Sequence, residues 1–331
     1  MIEDRRHLLA EVASLYYEQN LSQAEIAERL GLSRSNVSRL LAEARQEGIV
    51  EITIHYPWQG RPDLERRLVE RFRLKDARVL QTGSYGYTQM VQGLGVLAAR
   101  YLESHLRDRM VLGISWSTGV YQVVNALRAA RRLGVTVVQL TGAVGSVSPV
   151  LDGPDLARWL AQTLGGQYRY LHAPLLVESA EVRQALEQER AIRETLDLAR
   201  RADIALVGIG SIQPALSTLL QAGLVDEDGL AAIAAMGAVG DICTYHYDIH
   251  GRIMPLELHQ RIIGIDLVSL SRIPLVIGVA GGREKAEAIL GALRGGYINC
   301  LVTDEVAAHE VLRLANQTPD AGRRTTENTG C

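Results

Sequence analysis

The chain is 331 residues long and is poor in several things. It has three cysteines, Cys243, Cys300 and Cys331; an odd, widely spaced set excludes a disulfide framework and fits a reducing compartment. Aromatic residues make up 5%, with a single Phe. Of the 35 basic residues only Lys75 and Lys285 are lysines, so lysine chemistry is confined to two positions. No apolar run reaches the roughly 18 to 20 residues that a bilayer-spanning helix needs. The start, MIEDRRHLLAEV, has neither a long apolar stretch nor a small-residue cleavage site, so a cytoplasmic location is expected. Net charge is -3 with a sequence pI near 6.3, which gives the whole molecule no general attraction to nucleic acid. What the chain does have is apolar material. With 47% hydrophobic and 22% charged residues it can bury a sizeable core, which excludes disorder over most of its length, and that length predicts about two domains.

Residues 1–57 read as a small helical head. Leu8, Leu9, Val12, Leu15 and Tyr16 recur at helical spacing over Arg5–Gln19. Ser22-Gln23-Ala24-Glu25 has the form of a capping box and opens a second helix with Ile26, Ala27 and Leu30 on one face. Gly31-Leu32-Ser33 supplies a helix-ending glycine and a new N-cap. A third helix follows over Arg34–Gln46 with Val37, Leu40, Leu41 and Ala44 aligned, and Ile49–Ile54 alternates like a strand, a wing. Two helices joined by a glycine turn, the second opening on short polar residues, form a DNA-binding helix-turn-helix. Its exposed face carries Arg34, Ser35, Asn36, Ser38 and Arg39: Arg suits guanine, Asn adenine, and Ser bases or phosphates. Gln23 and Arg45 sit where backbone phosphates pass. The bland alternative is a three-helix bundle with a polar surface, and residues 1–58 hold six Arg against nine Asp and Glu. A single such head binds weakly, so at least a dimer reading two half-sites is expected.

Between the head and the rest, Leu64, Leu68 and Phe72 form a narrow stripe on an Arg/Glu-rich helix, suited to docking on a partner helix or on the body. Residues 58–75 are therefore expected to be a linker or oligomerisation helix. From 76 to 316 short apolar runs (77–80, 110–114, 135–140, 168–172, 204–209, 275–279 and 300–302) alternate with helical stretches. That is the pattern of an α/β domain with a mainly parallel sheet, in which ligands sit beyond the strands' carboxyl ends. Residues 317–331 are polar and expected to be a disordered tail.

The order of these parts, with GISWSTG at 113–119, LVGIGS at 206–211, GAVGDICTYHYDIHG at 237–251 and VIGVAGGREKAEAILGALRGGYINCLVTDE at 276–305, resembles the SorC family of bacterial sugar-responsive transcription regulators over residues 5–312. The resemblance implies a (winged) helix-turn-helix followed by a Rossmann-like α/β effector domain related in fold to sugar-phosphate isomerases, usually a tetramer. Its partners would be double-stranded operator DNA, a small phosphorylated sugar and further copies of the chain. No cofactor is implied.

The residues agree with a phosphate and sugar site. Ser115, Ser117, Thr118 and Gly119 lie between a strand and a helix, where backbone N–H groups and the helix dipole cradle an anion. The family's usual pattern has Gly where Ser117 stands. Gly142, Gly210, Gly281 and Gly282 mark three further loops after strands, expected to converge on one rim. Lys285 follows Gly281-Gly282, and similar regulators place a phosphate-contacting Lys there. Some relatives hold their ligand as a Schiff base, but the matching position here is not Lys, so non-covalent binding is expected. Asp241 and Asp248 are candidate acceptors for sugar hydroxyls, or simply turn residues. Cys243-x-x-His246-x-x-x-His250 has a superficial metal spacing but lacks a fourth ligand, and alternation places Cys243 opposite His246 and His250, so no metal is expected. An enzyme built on the same body would need a positioned general base; Asp241, Asp248 and His246 are the residues on offer, without a recognisable catalytic pair, and no activity is expected. A body that only oligomerises is the other alternative.

Overall fold

The computed structural model describes residues 2–50, 58–83, 85–129, 132–145 and 152–317. The chain divides into two compact units, 1–57 and 58–331.

The first unit holds three helices, Ile2–Tyr17, Gln23–Leu30 and Arg34–Gln46. Local chemistry sets each boundary. Ser22 Oγ accepts from the Glu25 N–H at 3.3 Å while the Ser22 N–H donates to Glu25 Oε2 at 2.7 Å, a complete capping box. Gly31 ends that helix at φ +66°, and Ser33 Oγ then caps the third helix through the Asn36 N–H at 3.2 Å. Leu9, Val12, Ile26, Val37, Leu40 and Ala44 close a shared core. The expected wing strand falls largely on 51–57, outside the described residues, as does the tail from 318 onward.

The second unit is built on a seven-stranded, wholly parallel sheet. Its strands are β1 (Asp76–Leu80), β2 (Val111–Ile114), β3 (Thr136–Gln139), β4 (Gln167–Arg169), β5 (Ile204–Gly208), β8 (Leu275–Val279) and β9 (Cys300–Asp304). The hairpin β6 (Ala238–Ile242) and β7 (Tyr245–Asp248) stands apart. Sheet order is β1-β9-β8-β5-β2-β3-β4. Each run expected from sequence holds a strand, though 168–172 does so only at its start, in the exposed edge strand β4; for the inner strands the reason is burial on both faces. In β5, Ala205 and Val207 enter one core cluster while Ile204 and Leu206 enter the other; β8 and β9 divide their residues in the same way. A strand covered on both sides is apolar throughout instead of alternating. Helices Tyr87–His105, Thr118–Ala126 and Gly153–Leu164 cover one face, and helices Pro62–Phe72, Arg190–Arg200, Ala286–Gly295 and Glu305–Gln317 cover the other.

The segment 58–75 is part of this body instead of a separate linker. Leu64 and Leu68 are fully buried in the body's own core, with Phe72 packed against it, and the Glu65 carboxylate accepts from the Val79 N–H at 3.0 Å. The stripe read from sequence is thereby covered within the chain.

After β2 the chain runs outward through β3 and β4, then returns to the other side of β2 with β5 and continues to β8 and β9. The crevice between β2 and β5 is therefore a topological switch point, where two adjacent strands send their following loops in opposite directions.

Candidate functional site

A cavity of about 120 Å³ opens at this switch point. Ser115, Trp116, Ser117, Thr118 and Gly119 follow β2; Ile209 and Gly210 follow β5; Ala280, Gly281 and Lys285 follow β8. Asp241, Cys243 and Thr244 enter from the β6–β7 hairpin, which Tyr247 anchors by donating its hydroxyl to the Ala288 carbonyl at 3.1 Å.

The loop after β2 is held by hydroxyls. Ser115 is buried, and its Oγ accepts from the Gly208 N–H at 3.4 Å. Ser117 caps helix Thr118–Ala126, accepting from the Val120 N–H at 3.0 Å. This leaves the first turn of that helix on the cavity wall, where N–H groups and the positive dipole end favour an anion. Ser117 takes up the space that a glycine opposite leaves free: a Cβ on Gly208 would collide with Ser117 Oγ. Gly210 serves Asp241 likewise, since a Cβ there would fall inside its carboxylate.

Lys285 and Asp241 supply the charges. Lys285 Nζ donates to the Ile209 carbonyl at 2.8 Å. Burial pulls its ammonium below the ordinary lysine value, and Asp241 opposes that pull. Burial pushes the Asp241 carboxyl up to about 6, against the attraction of Lys285 and the bond it accepts from the Thr244 N–H at 3.2 Å. That bond depends on a strained turn. Cys243 and Thr244 form the two-residue loop of the hairpin at φ +52° and +71°, a conformation that favours Asn-Gly and disfavours β-branched Thr.

Eight of the expected effector residues thus share one cavity; three do not. Gly142 is buried where two chain segments cross: its N–H donates to the Ile263 carbonyl at 2.9 Å, and a Cβ would strike the Pro174 carbonyl. β3 lies beyond the switch point, and the described residues that follow it do not line the crevice. Asp248 instead organises the turn after β7, accepting from the His250 and Arg252 N–H groups at 2.9 and 2.8 Å. Gly282, at φ +92°, donates its N–H to Asp304 Oδ2 at 2.6 Å and shapes the loop without lining the cavity. Cys243 sits in the turn and not on a strand face, and His246 partners His259. Among the described residues no cluster of three His, Cys, Asp or Glu side chains is arranged to hold a metal.

Sequence reasoning missed part of the wall. Tyr87, Val91 and Leu94 come from helix Tyr87–His105, and Leu216, Thr218 and Gln221 from the segment after β5. No local motif marks them, because the loops that bring them near the crevice are set by sheet order. Together they give one apolar wall and several hydroxyl and amide groups, which suits the mixed surface of a polyol.

Behind the cavity, His246 and His259 stack with ring centroids 5.7 Å apart. The His246 N–H donates to His259 Nε2 at 2.9 Å, so that nitrogen carries no proton. Burial lowers both rings to about 4 from the ordinary 6.5, and each native ring resists protonation. Their contribution to stability is fully present above about pH 6.5 and is lost as pH falls toward 4, on the order of 3 kcal/mol for one ring. Asp241 acts in the opposite sense: its raised native value adds stability as pH falls through about 6. The urea midpoint is therefore expected to fall between pH 6.5 and 4, less steeply in His259→Gln, whose amide oxygen still accepts the His246 N–H. An unchanged slope in that variant would count against the pair.

In the head, Arg34, Ser35, Ser38 and Arg39 are exposed and Asn36 is half-buried on the third helix. Asn36 Oδ1 accepts from Arg39 Nη2 at 3.0 Å, so the two side chains form one preset unit. Gln23 opens the second helix, where it is half-buried.

The comparisons with known proteins agree with both units. Residues 56–313 match the family described as "Putative sugar-binding domain", and residues 10–47 match "Sigma-70, region 4". The chain is 38% identical over 311 residues to the transcriptional regulator LsrR of Enterobacter sp. (strain 638), covering 93% of both chains. It is 31% identical to the deoxyribonucleoside regulator of Bacillus subtilis (strain 168), covering 94% of this chain and 99% of that one. The full-length sorbitol operon regulator SorC from Klebsiella pneumoniae superimposes with a TM-score of 0.70 at 31% identity, over 93% of this chain and 99% of that one. No helix among the described residues is long and apolar enough to cross a membrane. With a helix-turn-helix head, a parallel α/β body open at its switch point and near full-length likeness to these regulators, the chain belongs to the SorC family of sugar-responsive transcriptional regulators.

Proposed function

We propose that the protein regulates transcription of a carbohydrate-metabolism operon, and that a small phosphorylated sugar in the switch-point cavity sets its affinity for operator DNA. The observation that carries the effector class is the meeting of a helix N-terminus with Lys285 in one crevice: fixed N–H donors and a compact ammonium face the same space. The phosphate sits on the Thr118–Gly119 turn and Lys285. Asp241, opposite, accepts from sugar hydroxyls, while Thr218, Gln221 and Thr244 complete the polar wall. The named relatives are regulators, two of them of deoxyribonucleoside and sorbitol genes, which supports a carbohydrate operon and a binding role for this cavity instead of turnover. The protein acts as a homo-oligomer, because one small, net acidic head offers few phosphate contacts and two half-sites are needed for tight binding.

The test is a thermal-shift panel of sugar phosphates, free sugars and inorganic phosphate. A sugar phosphate that stabilises more than either of its parts supports the reading; stabilisation by free sugars alone overturns the phosphate assignment. Asp241→Asn separates the two halves of the ligand. It is expected to keep the response to inorganic phosphate and to lose the extra stabilisation given by the sugar, read as a tenfold or greater loss of sugar-phosphate affinity by calorimetry, the order expected for one hydrogen bond to a charged group.

A further inference from the structure

The cavity and the segment through which the chain enters the body are joined by two consecutive carboxylates. Asp304 ends β9 and is 1% exposed. Its Oδ2 accepts from the Gly282 N–H at 2.6 Å, and its Oδ1 accepts from Val306 and Ala307 at 2.9 and 3.2 Å. Gly282 immediately precedes the short turn Arg283–Lys285, so Asp304 fixes the loop that delivers Lys285. Glu305, the next residue, faces the other way. Its Oε1 accepts from the Thr82 and Gly83 N–H groups at 3.0 and 3.1 Å, and its Oε2 pairs with Arg61 Nη1 at 2.7 Å.

Each group bound by Glu305 leads somewhere definite. Thr82 and Gly83 begin the turn that ends at Tyr87, which lines the cavity and whose ring would lie 3.6 Å from a Cβ on Gly282. Within the same turn Tyr85 meets Trp58 edge to face, with centroids 5.1 Å apart. Arg61 belongs to the entry segment, which is tied to the end of β1: the Arg61 N–H donates to the Val79 carbonyl and the Gln81 N–H to the Gln59 carbonyl, both at 2.9 Å. Trp58 is the first residue of the body after the head.

We propose that Asp304 and Glu305, with Thr82, Gly83, Tyr85 and Tyr87, are the transmission element through which cavity occupancy is read at residues 58–61. This rests on the sugar-phosphate reading of the cavity. A ligand that draws Lys285 and Tyr87 inward loads both carboxylates at once, because they are neighbours on a backbone held by the sheet. Charge-assisted bonds resist stretching, so the displacement passes to Arg61 and Trp58 instead of being absorbed locally. For the link to carry regulation, the ligand must favour one placement of the entry segment over another, and Glu305 is the positioning residue that makes the two ends move together.

The test is hydrogen exchange on the full chain, with and without inorganic phosphate and a set of pentose and hexose monophosphates. In the wild type, a probe that slows exchange at 115–119 and 281–287 is expected to slow it at 58–66 as well. Arg61→Ala, which leaves the bonds of Glu305 to Thr82 and Gly83 in place, should keep the first effect and lose the second; Glu305→Ala should do the same. If Glu305→Ala does not fold, Arg61→Ala decides alone. Protection at 58–66 that survives in Arg61→Ala, or that is missing in the wild type while the cavity loops are protected, overturns the proposal and leaves the cavity reading intact. If no probe slows exchange at the cavity loops of the wild type, the sugar-phosphate reading itself falls and this proposal falls with it.

Discussion

Lys285→Ala is expected to abolish stabilisation by any sugar phosphate that protects the wild type. At a hundred times its dissociation constant a ligand adds about 2.7 kcal/mol to folding stability. The variant should show none of that gain at the same concentration. The phosphate loses its compact cation, and no other cationic side chain lines the described cavity wall; Asp241, freed of the charge that draws it down, is pushed further up by burial and supplies no compensation. A charge-assisted bond in a partly desolvated space is worth more than in water, so the loss exceeds that of one neutral hydrogen bond. The free variant is expected to keep its fold with somewhat lower stability, because Asp241 is left buried without its cation and the Ile209 carbonyl without its donor, so ligand response is read against the variant's own baseline. Arg in its place is a sharper comparison. Arg keeps the charge but not the compact shape that reaches the Ile209 carbonyl, and only a partial return of ligand response is expected. A Lys285→Ala protein that responds to sugar phosphates as the wild type does would remove Lys285 from the site.

The second large effect concerns the head. Asn36→Ala is expected to weaken binding to operator DNA selected in vitro by about 1–3 kcal/mol and to relax preference at one base pair, as loss of a bidentate base contact does. Arg39→Ala should cost about as much. The double variant should cost less than the sum, because the Asn36 amide already orients the Arg39 guanidinium. Arg45, exposed in the last turn of the same helix, should behave differently. Its removal should weaken binding to all sequences alike and lower the salt slope by about one. The head's excess of acid makes this contrast legible, since little non-specific attraction masks the base contacts. If Asn36→Ala leaves both affinity and sequence preference unchanged, the third helix is not the reader.

The legible parts of this molecule were those decided by near neighbours in sequence. The caps at Ser22 and Ser33 are bonds to residues three positions on, so the spacing that reveals them also makes them. The glycine at 31 needs only its own backbone angle. The inner parallel strands announced themselves through apolar runs, because helices on both faces leave no solvent side to mark. Ser115, Ser117, Thr118, Gly119, Gly210, Asp241, Gly281 and Lys285 could be named before the fold was known, through the resemblance and because a loop after a strand is where a parallel sheet keeps its ligands.

Sheet order decided the rest. Gly142 follows a strand as Gly210 does, and nothing local tells them apart; only the return of the chain from β4 to the other side of β2 puts one in the crevice and the other beneath Pro174. Tyr87 and Gln221 join the wall because distant elements bring them there. The stripe of Leu64 and Leu68 stated that something covers it, and the fold supplied the body's own core. Asp304 and Glu305 carried no reading of their own in the sequence, where they only close the 276–305 motif. Their opposite duties exist only because β9 lies between β1, which holds the entry segment, and β8, which ends at the Lys285 loop. The sequence by itself determined the head, the strands and the hydroxyl-rich loop after β2, through contacts a few residues long. Tertiary structure alone decided which loops meet and what binds the cavity to the entry of the chain, because those contacts join residues far apart in sequence, 76 and 93 positions between the cavity loops and more than two hundred between Glu305 and the entry segment.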